Sequence, residues 1–495
     1  MKNNYIKLCN IQKKLYRLSH ARSFLNWDRS TMMSSNGNKA RSESLAEITS
    51  FMHELLSKKN IKKLILNSEE EDLNHIELAN LREIKRSWLR KSVLPKKLII
   101  KSQISKSNCE FEWRVQRKNN DWKGFLKNFK EVVKYSQEEA KILSDALNIS
   151  AYDALMDRYD PGLKTSEVDK LFDQIKKWLP TLISKASQRQ NRQKPITLGH
   201  SFNRVKQKKL CLDVIKLLGF NFEKGRLDES LHPFCAGVRE DIRITTRFNK
   251  GTFLNSLFAA IHETGHAQYE QNLPTTLFDQ PVSNSRSMSI HESQSLFFEK
   301  QIGCNPNFVR RISPLIKKYF GDKPELNHAN IFSLVNSVKP SFIRVDADEV
   351  TYPAHIILRY EIEKDLINCN VKAEEVPSMW NEKMADYLGL NTSGNYSDGV
   401  LQDIHWPGGQ FGYFPCYTLG AIYAAQWFYF AKQEIRNIEQ VILNGNLTSI
   451  FDWLNTNIWS HGSILSTKSL TKKACKGKLL NVKYFKNHLE NRYLN

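Results

Sequence analysis

The sequence predicts a mostly α-helical protein, one elongated multi-helix domain with a small β element just ahead of a histidine-bearing helix. Three observations predict it. Apolar residues recur at helical intervals through much of residues 1–190, one later segment alternates as a half-buried strand does, and no Gly/Ser- or Pro-rich linker separates independent units. Length alone, 495 residues, suggests two or three domains. The missing linker favours one, with residues 1–190 as helical scaffold and possible groove cover and 191–495 as the portion bearing the chemistry.

In the first part, Phe125, Leu126, Phe129, Val132, Val133 and Tyr135 follow helical spacing, and Pro95, Pro161 and Pro180 read as boundaries. Between 241 and 248 the character changes. Ile242, Ile244, Thr246 and Phe248 fall on one face and Arg243, Thr245 and Arg247 on the other, a strand whose edge could take an extended peptide, with Arg243 a candidate substrate contact. Solvated arginines on a structural strand are the plainer reading. A helix over Thr252–Asn272 follows, with Leu254, Leu257, Phe258 and Ile261 on its buried stripe and Pro274 closing the segment.

This helix carries His262-Glu263-Thr-Gly-His266, two histidines four apart on one face with a carboxylate beside them. Neutral imidazoles so placed can hold a zinc ion while Glu263 works on water, the apparatus of metal-assisted peptide hydrolysis. Ordinary helix histidines are the alternative. A catalytic zinc needs a third protein ligand. Glu292 is the first candidate, although Ser289-x-x-Glu292 is also a capping-box pattern, and His291 and Glu299 compete by residue type.

Further along, Arg344, Asp348, Thr351 or Tyr352, His355 and Arg359 recur at helical intervals as a polar stripe, and an arginine facing a cleft can grip a carboxylate with two N–H groups. A Gly-rich stretch from Gly399 brings His405, Tyr413 and Tyr417, candidate donors to an oxyanion, with packing or capping the bland reading for each. Trp406 to Ala431 holds no charged residue. Gly408, Gly409, Gly412, Gln410, Pro415 and Gln426 interrupt it, so a buried helix is expected there and no membrane span.

Composition narrows the class. Hydrophobic residues make up 41% and aromatics 11%, which is globular and not disordered. The eight cysteines are scattered with no CxxC pair, which fits a reducing compartment and argues against a disulfide framework or a Cys-ligated metal. The N-terminus lacks the apolar run of a secretory signal; its first acidic residue is Asp28, so charge does not exclude a transit peptide, and a cytoplasmic location is expected. A net charge of +21 invites a nucleic-acid reading, yet the lysines are spread along the chain without a recognisable binding motif. A solvated basic surface and no nucleic-acid partner are expected.

Taken together the motifs resemble the carboxypeptidase Taq family of zinc metallocarboxypeptidases. The likeness rests on His232-Pro-Phe, Asp241-Ile-Arg-Ile-Thr, His262-Glu-Thr-Gly-His, His291-Glu-Ser-Gln, Ile343-Arg-Val-Asp-Ala-Asp and Gly399-Val-Leu-Gln-Asp-Ile-His-Trp, in that order, and extends from about Leu15 to Asn481-Val-Lys-Tyr-Phe. The resemblance implies a mostly α gluzincin-like single domain with a long central groove and a small sheet by the zinc helix, usually a homodimer, that removes residues from peptides with a free C-terminus. It also implies one Zn2+ per chain (other divalent metals such as Co2+ could serve) on His262, His266 and Glu292, with Glu263 as general base. On the same basis Arg344 is assigned to the substrate's terminal carboxylate and Tyr413 or Tyr417 to the oxyanion. Two departures stand out: the strong basicity, and the basic segment Ala474-Cys-Lys-Gly-Lys-Leu479. The nearest rival is a metallo-oligopeptidase cutting internally; a basic, non-catalytic nucleic-acid-binding protein is the rival from another class.

Overall fold

A computed structural model describes residues 2–57, 60–190, 194–199 and 201–495. The division expected between 190 and 191 falls against residues 191–193, outside the described residues. The mostly helical expectation holds. The first part comprises α1 (Asn3–Thr31), α2 (Asn38–Ser57), α3 (Asn60–Glu69), α4 (His75–Ser92), α5 (Lys96–Lys118), α6 (Trp122–Leu147), α7 (Ala151–Met156) and α8 (Thr165–Gln190). Local chemistry sets the starts. Asn74 caps α4 by accepting from the Ile76 and Glu77 amides while Glu77 reaches back to the Asn74 amide, and Pro95 stands at the N-cap of α5. On α6 the stripe Phe125, Phe129, Val132 and Val133 is buried as its spacing requires. Pro180 corrects an expectation, lying inside α8 and not at its end. The apolar face from Phe172 and Ile175 through Leu179 to Leu182 and Ile183 is buried on both sides of the proline, so packing carries the helix through it.

After α9 (Arg204–Leu217) come β1 (Leu227–Glu229), β2 (Cys235–Val238) and β3 (Asp241–Thr246). The order is β1-β3-β2, with β3 parallel to β1 and antiparallel to β2. This overturns the idea that β3 offers an edge to a peptide: it is the central strand, and both its edges are already paired.

The sheet delivers the chain into α10 (Leu254–Gln271), followed by α11 (Met288–Leu296), which runs into a π-helical turn, Phe297–Gly303. Then come α12 (Pro306–Phe320), α13 (His328–Val335), α14 (Tyr352–Ile367), α15 (Val376–Leu388), α16 (Pro415–Glu434), α17 (Ile438–Asn444), α18 (Thr448–Asn457), α19 (Thr467–Ala474) and α20 (Val482–Tyr493). The polar stripe 344–359 is broken. Arg344 lies in a short 3-10 turn, Asp348 accepts from the Val350 and Thr351 amides, and the helix begins only at Tyr352 with Pro353 in its first turn.

Two large apolar cores result. One gathers Leu257 and Ile261 of α10 with Phe297, Phe298 and Ile312, and the other gathers Phe125, Phe129, Phe172, Ile356 and Trp406. The charge-free α16 serves both, giving Leu419 and Ile422 to the second and Tyr423, Trp427 and Phe428 to the first. Among the described residues no helix is long and apolar enough to cross a membrane.

Candidate active site

The buried stripe of α10 fixes its histidines rigidly, because Leu257 and Ile261 are fully enclosed on the opposite side. Gly265, between the two histidines, lets α10 touch α11. A Cβ there would lie 2.4 Å from the Gln294 carbonyl oxygen, so only glycine permits the approach. Gly420 on α16 does the same from the other side, where a Cβ would lie 2.7 Å from Glu292 Cγ. Helix α11 is thus clasped between two glycine contacts, and Glu292 is held against α10. The N-cap of α11 is Ser287, which accepts from the Ile290 amide, so Ser289-x-x-Glu292 is not the capping box at this start.

His262, His266 and Glu292 present ligand atoms all within 4.8 Å of one another. Glu292 Oε2 lies 3.5 Å from His266 Nε2 and 4.0 Å from His262 Nε2. Donors about 2.0–2.2 Å from one cation sit roughly 3.3 Å apart, so the set fits a metal ion with little adjustment. Its surroundings fit too. Glu299 Oε2 is 2.8 Å from His262 Nδ1 and the His291 carbonyl is 3.0 Å from His266 Nδ1, leaving both Nε2 atoms turned to the cluster. Glu299, a competitor for the third ligand by residue type, is thus taken up by His262 Nδ1, and the side chain of His291, the other competitor, has its Nε2 on Glu270 at 2.9 Å.

The electrostatics are those of a place prepared for a cation. Burial opposes protonation of His262, but its hydrogen bond to Glu299 and the charges of Glu292, Glu299 and Glu263 overcome this and push it up to about 9. Burial and the neighbouring His291 push His266 down to about 4. Burial lifts Glu263, 6% exposed, to about 7. Glu299 is held down at about 2, since Lys300 and His262 outweigh its burial.

A second buried cluster has the opposite sign. Asp403 lies between two arginines: Arg344 Nε and Nη2 reach its Oδ1 at 2.9 and 2.8 Å, and Arg359 Nε reaches its Oδ2 at 2.6 Å. Despite burial the two guanidinium groups hold Asp403 far below the usual carboxylate range. Burial lowers His405 to about 4 and, with the charge of Arg359, drives His355 well below its ordinary value, so both are neutral near pH 7. Two arginines and one aspartate leave one positive charge unmatched within the trio. Arg344 is itself 6% exposed, and its Nη1 donates to Tyr352 Oη at 2.7 Å.

Three tyrosines lie between the clusters. Tyr417 Oη is 3.2 Å from His405 Nε2, its ring meets those of Tyr413 and Tyr352 edge-on at 5.2 and 6.1 Å, and the charge of Glu292 is felt by all three hydroxyls. Burial raises the Tyr413 and Tyr417 hydroxyls, keeping them protonated as donors. The structure thus brings His262, Glu263, His266, Glu292, Arg344, His405, Tyr413 and Tyr417 into one neighbourhood. Arg243 is not in contact with them: it forms a two-pronged pair with Asp241 at 2.9 and 2.6 Å and lies 4.6 Å over the Phe24 ring of α1. Asp403 is not among the sequence-predicted site residues, because its arginine partners lie 59 and 44 positions away and only the Gln-Asp-Ile-His motif points to it, whereas Tyr352, eight residues from Arg344, falls in the polar stripe without a role assigned to it.

The carboxypeptidase Taq (M32) metallopeptidase family model matches residues 7–493. Carboxypeptidase 1 of Bacillus subtilis (strain 168) is 34% identical over 493 residues, 98% of this chain and 97% of that protein. Thermostable carboxypeptidase 1 of Thermus thermophilus is 32% identical, covering 99% of this chain and 98% of that protein. Among solved structures, Trypanosoma cruzi metallocarboxypeptidase 1 superimposes with a TM-score of 0.98 at 40% identity over 100% of both chains. The chain, which gathers His262, His266 and Glu292 into a group able to hold a metal ion and is matched over residues 7–493, belongs to the carboxypeptidase Taq (M32) family of metallopeptidases.

Proposed function

We propose that this metallocarboxypeptidase works with a zinc ion on His262, His266 and Glu292, uses Glu263 as general base, and selects free C-termini through Arg344. The observation that carries the reading is the pairing of two buried clusters, one shaped for a cation and one with a spare positive charge, across three tyrosines. The cation, when bound, supplies a Lewis acid that activates water and polarises the scissile carbonyl. Glu263, beside His262 and lifted by burial, accepts the proton of the attacking water and returns it to the departing amine. Tyr413 or Tyr417, with neutral His405 behind Tyr417, donates to the oxyanion that develops on the carbonyl. Arg344, oriented by Asp403 and Tyr352, keeps one N–H on each terminal nitrogen for the substrate carboxylate. Arg243 serves at most at a distance, since Asp241 already occupies its fork.

The unit of function is the whole chain as a single domain, acting as a homodimer in the cytoplasm. Eight free thiols suit a reducing compartment. Mass spectrometry of an unblocked peptide digested by the zinc-loaded protein tests the activity: a ladder shortened stepwise from the C-terminus is expected, and internal fragments would favour an endopeptidase. C-terminally amidated peptides should be severely impaired substrates.

A further inference from the structure

The π-helical turn Phe297–Gly303 prolongs α11 and packs on α10. Phe297 and Phe298 share a core with Ile261, and a Cβ on Gly303 would lie 3.2 Å from Ile261 Cγ2. Such turns are frequent at functional sites. This one carries two sequence neighbours, Glu299 and Lys300, of which Glu299 uses its two oxygens in opposite directions. Its Oε2 is 2.8 Å from His262 Nδ1, and its Oε1 pairs with Lys300 Nζ at 2.6 Å. A line of polar contacts therefore runs from an ammonium group through a carboxylate and an imidazole to the cation site.

A lysine is at odds with a wall that otherwise favours a cation. A carboxylate on the Nδ1 of a ligating histidine strengthens the imidazole as a donor and adds negative charge near the metal. Lys300 cancels that charge. A second carboxylate within electrostatic reach, Glu349, is already bonded to His488 Nε2 at 2.8 Å, Arg492 Nη1 at 3.0 Å and Tyr493 Oη at 2.9 Å, so the ammonium is delivered to Glu299. Burial opposes the lysine's charge, but Glu299 and Glu349 raise its pKa above the ordinary value, and it remains a cation. Two effects on the metal then compete. The bond to Lys300 steadies Glu299, which favours binding; the positive charge repels a divalent cation, which disfavours it. Glu299 is steadied already by His262 and by a turn whose Phe297, Phe298 and Ile302 are fully enclosed, so the first effect is small. The second is not: a unit charge several ångströms from a dication, at an effective dielectric of about 20, changes affinity by a factor on the order of 10 to 100. Charge outweighs steadying.

We infer that Lys300 is a positioning residue that tempers the metal site: by neutralising Glu299 it withdraws charge from His262, lowering the affinity for the cation and leaving that cation a stronger Lewis acid. The inference rests on the zinc reading of His262, His266 and Glu292 above. Competition for Zn2+ against a chromophoric chelator tests it, with steady-state kinetics on a free-acid peptide alongside. Lys300→Met, of similar length without the charge, should bind Zn2+ about tenfold or more tightly, while kcat falls about threefold or more and KM is unchanged. Lys300→Arg, which keeps the charge, should match wild type in both. Lys300→Gln, which keeps a donor for Glu299 without the charge, should follow Lys300→Met. Equal or weaker Zn2+ binding by Lys300→Met, with an unchanged melting transition of the metal-free protein, would overturn the inference. So would wild-type binding by Lys300→Gln, since the effect would then belong to the bond and not to the charge. His266→Ala, measured in parallel, should lose the bound Zn2+; if it binds as tightly as wild type, the zinc reading of the site fails, whatever Lys300 does.

Discussion

The walls around α10 and around Asp403 are both buried, both dense in ionisable groups, and opposite in what they lack. On the α10 side carboxylates predominate and His262 is driven toward protonation, so a cation is wanted. On the other side two arginines share one aspartate, so an anion is wanted. A peptide's last bond lies between a carbonyl that a cation can polarise and a carboxylate that an arginine can hold. On the function proposed above, the difference in sign orients the substrate before any side chain reads its identity. Burial makes this effective, since charges in a low-dielectric wall act more strongly than on the surface.

Glu263→Gln should break the comparison on the α10 side most severely. Turnover should fall by about 10³-fold or more with metal content unchanged, checked by steady-state kinetics beside elemental analysis. On the other wall, Arg344→Met should lower kcat/KM for free-acid peptides by about 100-fold while barely changing the residual rate on amidated ones, so the acid-to-amide preference collapses. If the preference survives, the spare charge is not what selects the chain end. Gly265→Ala acts on the clasp instead of the charges. A methyl group 2.4 Å from the Gln294 carbonyl must push α11 and Glu292 away, and chelator competition should show metal affinity lowered about 10- to 100-fold, with about 1–3 kcal/mol lost in stability.

The smallest effect concerns pH. Glu363 on α14 is fully buried and accepts from Tyr152 Oη at 2.7 Å, Trp406 Nε1 at 2.8 Å and the Gly412 amide at 2.9 Å; burial nonetheless lifts it to about 7, with Arg359 near enough to pull it down in part. As pH rises through 7 Glu363 gains a negative charge and offsets the spare positive one. KM should therefore rise by up to about tenfold between pH 6 and 8. Glu363→Gln should flatten that rise, as read from KM against pH.

Much of this was legible in the sequence where the pattern is local. The α6 and α10 stripes and the alternation of β3 announce themselves because burial repeats with the period of the element. What failed was non-local. β3 reads as a strand, but nothing within it says that β1 and β2 occupy both its edges. The stripe 344–359 reads as one helix until Pro353 and the Asp348 side chain start a new one at Tyr352. Glu292 could not be told from Glu299 or His291 by spacing. The grouping of Glu292 with His262 and His266 follows from how closely α11 approaches α10, which Gly265 and Gly420 set from separate parts of the chain. Asp403 gains its role only from arginines 59 and 44 positions earlier.

The double duty of α16 bears on how the molecule comes apart. Two cores with a loop between them could melt one after the other, yet here Leu419 and Ile422 of one core and Tyr423 and Trp427 of the other ride on the same two turns. Neither core can lose this helix without opening its neighbour. Scanning calorimetry should accordingly record a single heat-absorption peak whose calorimetric and van't Hoff enthalpies agree, in a chain long enough to have shown two.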